Sequence, residues 1–335
     1  MLKKLLITTV IGVSILSSDA FKAGGVFLTI FPGAKATAMG AAFSSVANDG
    51  TASYYNPGAL AQFDHPEFSF IHAPWLRGLA PDMYYEFLGW VMPMHGGVLG
   101  GHIIYSTYGI FEAINEERQL CGKFRPYETA IDLSYGFKVD PSLSLGVNAK
   151  FIHSFLAPPE VLECASQGEI QSGGSATSFA FGAGLLYTYK RAKFAVVLDN
   201  FGSPLVYTEG GHKNDLPRLL RVGVSYRPIW TKIHKVLLSA DMNKILVGIQ
   251  EDYSQKGLSW ILQEAWKHVG VEYTFYNIIS LRMGYFYDKF GWRKGLTFGA
   301  GVRFKNFQLD IADDSRIYDF EESSNRRFSI TYILQ

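Results

Sequence analysis

Few residues of this chain have the types and spacing that enzyme chemistry requires. Its eight histidines are scattered, and none stands in a metal-binding spacing such as His-Glu-x-x-His. The glycine-rich run from Gly96 to Gly101 lacks the strand-then-helix context that a phosphate-binding loop needs. One alternative stays open, a lipid hydrolase whose serine and histidine meet only in the fold. We expect no catalysis, no cofactor and no bound metal.

The composition argues against one class of partner and favours a particular kind of sheet. Lys and Arg number 31 against 30 Asp and Glu, so no electrostatic footprint for nucleic acid is indicated. Aromatic residues make up 15% of the chain and 34 residues are glycine. Both are abundant for a soluble enzyme but suit a membrane barrel, which has aromatic girdles and close-packed strands.

Strict alternation of apolar and polar residues is the main structural signal. Side chains on a strand point to opposite faces with a period of two, so the range 296–304 has one apolar face and one small or charged face. The apolar residues are Leu296, Phe298, Ala300, Val302 and Phe304, and those between them are Thr297, Gly299, Gly301 and Arg303. The apolar face would meet a second sheet in a soluble sandwich, and lipid in a membrane barrel.

The same alternation recurs along the chain, in runs that mostly reach the length of about 9 to 11 residues needed to span a membrane. An even number of strands is what a bacterial barrel closed on itself requires. We predict about fourteen antiparallel strands, near residues 66–74, 82–93, 97–108, 127–139, 142–155, 177–189, 192–201, 217–228, 234–243, 267–276, 278–288, 295–304, 306–312 and 326–334.

Two further features favour the membrane barrel over a periplasmic sandwich. Lys3 and Lys4 precede an apolar run and then Ser18-Asp19-Ala20, so we expect a secretory signal peptide over residues 1–20. The connections alternate between short turns and long loops such as 109–126 and 244–266, which is typical of barrels in the outer membrane of Gram-negative cells. The sequence therefore predicts an all-β transmembrane barrel in contact with outer-membrane lipid.

Residues 21–63 precede the first strand and do not follow the alternation. They are small, alanine-rich and interrupted by glycine, so they can form short helices and tight turns but not a lipid-facing strand. We expect this segment to be a plug in the lumen of a barrel formed by residues 64–335. A flexible N-terminal tail is the alternative, although Tyr54, Tyr55 and Asn56-Pro57 favour an ordered segment.

The same segment resembles the N-terminal signature of the PorV/PorQ family, which belongs to the FadL-like group of fourteen-stranded outer-membrane barrels. The matching residues run from 33 to 43, from 46 to 49 and from 53 to 61. The later stretches DLPRLLRVGVSYRP, HVGVEYTFYNIISLRMGYFYD and LTFGAGVRFKNFQLDIA also resemble PorV in order and spacing. In this comparison Asn56, Pro57 and Gly58 correspond to the plug motif, which usually reads Asn-Pro-Ala in FadL-type proteins.

The resemblance implies a function without catalysis. PorV proteins serve the type IX secretion system, where they bind the folded C-terminal signal domain of secreted cargo and carry it from the translocon to the attachment complex. If this chain does the same, secreted cargo and secretion-system components are its partners, and binding should fall on the external loops. FadL-type proteins instead take up hydrophobic small molecules, and this channel function is the alternative.

One external loop has the composition of a docking segment. In the range 254–267, Leu258, Ile261, Leu262 and Ala265 recur at helical spacing beside Trp260 and Trp266. Tryptophan is enriched in interface hot spots, so Trp260, Ile261, Leu262 and Trp266 could bind a partner. The equally weighted alternative is a helix that covers the barrel mouth or rests on the membrane surface.

The two cysteines fall in two neighbouring external loops of the predicted topology. Cys121 follows the third strand and Cys164 follows the fifth, so both face an oxidising compartment. They could pair and join the two hairpins. Two free thiols are the alternative, because spacing along the chain does not determine distance.

Overall fold

The chain forms a closed barrel of antiparallel strands in a computed structural model that describes residues 23–74, 82–167, 173–208, 211–291, 293–314 and 326–334. The predicted signal peptide lies outside these residues. Within them, the barrel strands are β1 (Glu67–Pro74), β2 (Met83–Met94), β3 (Gly97–Tyr108), β6 (Tyr127–Lys138), β7 (Leu143–Phe155), β8 (Ser175–Tyr189), β9 (Ala192–Gly202), β10 (Leu219–Trp230), β11 (His234–Ile245), β12 (Trp266–Phe275), β13 (Ile279–Asp288), β14 (Arg293–Phe304), β15 (Phe307–Asp313) and β16 (Arg326–Ile333).

Sequence neighbours pair throughout the barrel, and β1 pairs with β16 to close it. The fourteen predicted strands are confirmed, each with boundaries within two residues of the observed ones. The short strands β4 (Phe111–Ile114) and β5 (Leu120–Phe124) form a separate hairpin in the loop between β3 and β6. This hairpin was not predicted.

The outer surface of the barrel is apolar, and the inner surface carries the polar side chains. On β6, Leu133 is 55% exposed whereas the adjacent Asp132 is 2% exposed. On β7, Val147 points outward and Asn148 inward in the same way. An apolar surface of this extent around a closed barrel is a lipid-facing surface. The alternation therefore has the orientation of a transmembrane barrel.

The two ends of the barrel differ in their connections. At one end every hairpin turn is short, as between β2 and β3, β8 and β9, or β14 and β15. At the other end the loops 109–126, 156–174, 203–218 and 246–265 are long, with the loop between β13 and β14 as a short exception. Because outer-membrane barrels have short periplasmic turns, the short-turn end is periplasmic and the long-loop end is external.

Helical elements are few in the described residues, and all but one are short. They are α1 (Ala34–Ala38), α2 (Ala52–Tyr55), α3 (Pro159–Ala165) and α4 (Ile249–Glu264), with 3₁₀ helices at Val26–Thr29 and Pro57–Gln62. Helix α4 is interrupted at Gly257, which has a φ of 76° and a ψ of 176°. Among the described residues, no helix has both the length and the apolarity to cross a bilayer.

Residues 23–63 lie inside the barrel and form the predicted plug. Phe27, Phe43, Tyr54 and Leu60 are buried in one apolar cluster with inward side chains of the strands. Glycines on the wall allow the plug backbone to approach closely. A Cβ atom on Gly146 would lie 2.3 Å from the carbonyl carbon of Pro57, well inside ordinary van der Waals distance.

Candidate functional site

The plug fills the lumen from the external mouth to the periplasmic end. At the mouth, the amide of Gly24 donates a hydrogen bond of 2.8 Å to the carbonyl of Asp215 in the loop between β9 and β10. The 3₁₀ helix Pro57–Gln62 packs against β6, β7 and β8 near their periplasmic ends. The chain then enters β1 at Glu67. The plug thus occupies the path that a solute would have to take through the barrel.

The predicted plug motif is a docking point on the barrel wall. The Asn56 side chain is fully buried, and its Nδ2 donates to the carbonyls of Ser44 and Leu185, each at 3.1 Å. Its Oδ1 accepts a hydrogen bond of 2.9 Å from the amide of Gly58 and so caps the following 3₁₀ helix. Pro57 begins that helix, a position that suits its fixed φ. A Cβ on Gly58 would lie 2.6 Å from a wall carbonyl, that of Gly184.

A buried charge cluster connects the centre of the plug to the wall. Arg221 on β10 donates from Nη1 to the carbonyl of Tyr54 at 2.8 Å, and its Cζ lies 4.8 Å from the centre of the Tyr54 ring. The carboxylate of Asp199 lies 3.7 Å from Arg221 Nη1 and accepts a hydrogen bond of 2.6 Å from Lys150 Nζ. Asp199 therefore compensates two buried cations, one of which holds the plug.

A β-bulge turns Asn200, the residue after Asp199, toward this cluster as well. The pairing of β8 with β9 is regular up to Ala183 and Leu198, and then shifts by one residue before Phe181 and Phe201. Asn200, at a φ of 61°, absorbs the extra residue. Asp199 and Asn200 are consequently both buried instead of alternating between lumen and lipid.

Further side chains of the wall, on β11 and β14, bind the plug backbone. The Asp241 carboxylate accepts from the amides of Phe43 and Ser44, at 3.0 and 2.7 Å. Thr297 accepts from the amide of Gly40 and donates to the carbonyl of Ala38, each at 3.0 Å. The plug is therefore held by hydrogen bonds along its length as well as by apolar packing.

A small cavity remains at the external mouth, between the first turn of the plug and the wall. Its volume is about 200 Å³ and its apolar lining includes Phe27, Ile30 and Phe286. Asp314 lies at its edge and pairs with Arg327 at 2.8 Å. Burial raises the pKa of the Asp314 carboxyl, and the adjacent guanidinium opposes this shift.

The external hairpin β4–β5 is covalently joined to the neighbouring loop. Cys121 on β5 forms a disulfide with Cys164 on α3, with the two Cα atoms 5.6 Å apart. Val161 of α3 is buried against the hairpin. The structure thus brings the two predicted cysteines together and makes hairpin and helix one unit, which we call the external clamp (residues 110–124 and 159–165).

The external clamp exposes large apolar side chains on the water side of the barrel. Leu120 is 56% exposed, and Ile110, Phe111 and Ile114 are similarly accessible. Phe111 stacks on Phe124 across the hairpin, with ring centres 6.1 Å apart. The hairpin thus presents several exposed apolar side chains outside the lipid-facing strands, a feature that interaction surfaces share.

The predicted docking helix is observed as α4, but its side chains divide between two roles. Ile261 is buried, and Trp266 is the first residue of β12, where it packs against Phe31 of the plug with ring centres 6.0 Å apart. Trp260 packs on Phe290 with ring centres 4.3 Å apart. Leu262 is exposed, and so is Leu258, at 59%. Trp260 therefore anchors the helix, Trp266 belongs to the barrel wall, and Leu258 and Leu262 lie on the exposed surface of the helix.

The comparisons with known proteins agree on the fold. A family model described as type IX secretion system protein PorV matches residues 16–252. The toluene transporter TodX of Pseudomonas putida is 13% identical with a TM-score of 0.57, over 90% of this chain and 96% of that one. The toluene transporter TbuX of Ralstonia pickettii is 14% identical with a TM-score of 0.56, over 91% and 98% of the two chains. No curated protein matches the chain.

A fourteen-stranded barrel with a lipid-facing surface and a plug in its lumen defines the class: an outer-membrane β-barrel of the FadL-like fold. At 13% to 14% identity the two transporters show the fold alone. The PorV model matches well over half of the chain, and the chain therefore belongs to the PorV family of type IX secretion proteins. The matching family model is described as a secretion protein and the two solved structures as transporters; none of the three descriptions is that of an enzyme.

Proposed function

We propose that this protein binds the folded C-terminal signal domain of secreted cargo at its external face and carries it from the type IX translocon to the attachment complex. The observation that carries the proposal is the external clamp, a covalently braced unit that presents apolar side chains above the membrane. Membership of the PorV family indicates the secretion system in which the protein would act. The external loops would provide the surface that binds cargo.

The rigidity of the clamp supports a binding role. Ordering a loop on binding costs about 0.5–1.5 kcal/mol for each immobilised side chain. The disulfide and the Phe111–Phe124 contact order the hairpin before any partner arrives. Leu258 and Leu262 of α4 add a second exposed apolar surface on the same external side. We propose both surfaces as parts of the cargo site.

Photocrosslinking in cells that possess the translocon tests this function. A photoreactive residue in place of Leu120 should capture secreted proteins that share a C-terminal signal domain. The matched control is the same residue in place of Tyr276, which is equally exposed but lies in a periplasmic turn. Equal capture at both positions, or capture at Leu120 of proteins without such a domain, would contradict the proposal.

A second function, uptake of small hydrophobic molecules, is favoured by one observation. The cavity of about 200 Å³ at the mouth is lined mainly by apolar residues, and two solved structures of similar fold are described as toluene transporters. Vesicles containing the purified protein and an entrapped toluene-responsive probe test this alternative. A faster response than in protein-free vesicles would support uptake, and an equal response would remove it.

The division of the chain is also a proposal. We infer a signal peptide over residues 1–20, a plug over 21–63 and a barrel over 64–335. N-terminal sequencing of the protein purified from outer membranes should begin near Phe21. A first residue beyond Gly33 would contradict this boundary, because the plug contacts described above would then be incomplete.

A further inference from the structure

Basic side chains of neighbouring strands point into the lumen at its periplasmic mouth. Ser225 of β10 faces inward, because its hydroxyl donates to the carbonyl of Ser45 in the plug at 3.4 Å. Lys193 of β9 pairs directly with Ser225 and so has the same orientation. Arg227 lies two residues beyond Ser225, on the same face of β10. Both cations therefore face the lumen and not the bilayer.

Lys235 and Trp230 complete the group. Lys235 lies two residues before Leu237, which is buried in the apolar cluster of the lumen, and Trp230 pairs with Lys235 across β10 and β11. Arg227 Cζ lies 4.3 Å and Lys235 Nζ 4.7 Å from the centre of the Trp230 ring. The indole is 44% exposed, so solvent in the mouth reaches it. We call Lys193, Arg227, Trp230 and Lys235 the periplasmic basic cluster.

The periplasmic basic cluster also contacts the end of the plug. Lys193 Nζ donates a hydrogen bond to Oε1 of Gln62. The Nε2 atom of Gln62 is buried and has no hydrogen-bond partner among the described residues. Arg227 is close enough to Lys193 for the two positive charges to repel each other. This part of the mouth therefore has more hydrogen-bond donors than acceptors, as well as an excess of positive charge.

No acid of the described residues compensates the periplasmic basic cluster. Neither 187–198 nor 216–240 contains Asp or Glu, and no ion pair among the described residues includes Lys193, Arg227 or Lys235. The described acids of the periplasmic end have other partners: Asp64 and Glu67 contact His65, Asp140 accepts from the amides of Ser142 and Leu143, and Glu272 and Asp310 pair with Arg282. The positive charge of the cluster is thus left for an anion from another molecule.

The position of the cluster determines which anions can reach it. The barrel wall separates it from the acyl chains of the bilayer, which argues against a lipid. The plug fills the lumen above it, so a ligand must enter from the periplasm. The turns that border the cluster carry the exposed Lys190, Arg191 and Lys232, which extend the positive charge out of the mouth. A narrow chain with several negative charges along its length fits this arrangement.

We propose that the periplasmic basic cluster binds an extended, acidic segment of a periplasmic protein. Arginine and lysine bind carboxylates through charge-assisted hydrogen bonds. The exposed Trp230 indole offers an apolar surface to the methylene groups of glutamate side chains. The unpartnered Nε2 of Gln62 is a further donor. This site lies at the opposite end of the barrel from the external clamp, and it does not depend on the binding of cargo.

Binding of an acidic peptide to the purified full-length mature protein in non-ionic detergent tests the proposal. The probe is a fluorescein-labelled peptide of alternating Glu and Asp residues, and the matched neutral probe has Gln and Asn in their place. Fluorescence anisotropy should show tighter binding of the acidic peptide, and the affinity should fall as salt is added. The variant R227Q/K235Q should lose at least about tenfold in affinity, the effect of removing one charge-assisted hydrogen bond.

Two further variants locate the binding. R227K/K235R keeps both positive charges and should bind within a few-fold of the wild type. K213Q/K294Q removes two exposed positive charges at the external end and should leave the affinity unchanged.

Three outcomes would overturn the proposal. One is an unchanged affinity in R227Q/K235Q, and another is equal binding of the acidic and neutral peptides by the wild type, which needs no variant to fold. The third is displacement of the acidic peptide at constant ionic strength by millimolar inorganic phosphate or by short-chain phosphatidylglycerol. The site would then take a small anion or a lipid headgroup instead of a protein segment.

Discussion

Replacing Asp199 by Asn should destabilise the barrel by about 3 kcal/mol, because it removes the carboxylate that contacts two buried cations directly. Asp199 is 2% exposed and accepts from Lys150 Nζ at 2.6 Å, with Arg221 Nη1 at 3.7 Å. Breaking a buried ion pair costs about 3–5 kcal/mol. We expect a loss at the lower end of this range, because both cations retain a hydrogen bond. Lys150 still donates to Asn200 at 2.8 Å, and Arg221 still donates to the carbonyl of Tyr54.

Equilibrium unfolding in urea, with the barrel in lipid vesicles and tryptophan fluorescence as the signal, measures this difference. The second variant, D199N/K150M, removes one of the stranded cations and should recover part of the loss. K123Q removes an exposed cation of the external hairpin and should change the free energy of unfolding by less than about 1 kcal/mol. If D199N unfolds at the wild-type urea concentration, or if K150M makes it less stable, the proposed charge compensation is wrong.

Three other changes probe the plug and the external clamp. Gly146→Ala places a Cβ 2.3 Å from the Pro57 carbonyl and should cost about 1–3 kcal/mol, measured by the same unfolding assay. Cys121 and Cys164 should resist alkylation in the intact protein, because they form a disulfide. After reduction, proteolysis within 110–124 should accelerate. Alkylation of both thiols without reductant would contradict the disulfide. The variant I114S/L120S should weaken cargo binding at least tenfold in a pull-down while leaving the urea midpoint unchanged, and a shifted midpoint would instead indicate a structural role for these side chains.

The sequence predicted the barrel well because the signal that defines a lipid-facing strand is local. Each strand repeats the same period, so the side chains that face lipid can be identified from neighbouring residues alone. The bulge that turns Asn200 inward was not predictable in this way, because it depends on the pairing of β9 with β8. The short hairpin β4–β5 was missed because strands of 4 and 5 residues are too brief to show alternation.

The candidate site was predicted less well, for a related physical reason. Helical spacing placed Trp266 on the docking helix, but the helix ends at Glu264 and Ala265 is extended, with a ψ of 134°. The Trp266 side chain then faces Phe31 of the plug. Contacts between the plug and the loops join residues far apart in the chain, and a periodic pattern contains no information about them. The sequence placed Cys121 and Cys164 in the correct loops. Their separation of 5.6 Å between Cα atoms could not be predicted, because it depends on the fold.

The hydrogen bonds of the plug bear directly on the choice between cargo carrier and channel. Plug residues 34–56 make at least eight hydrogen bonds to wall residues. At a net contribution of about 1 kcal/mol each, releasing this segment would cost on the order of 8 kcal/mol before apolar packing is counted. This cost corresponds to an equilibrium constant of about one in a million for release of the plug from the wall. A channel would therefore need a ligand that binds the open state far more tightly than the closed one, whereas a carrier that uses only its external loops works with the plug in place.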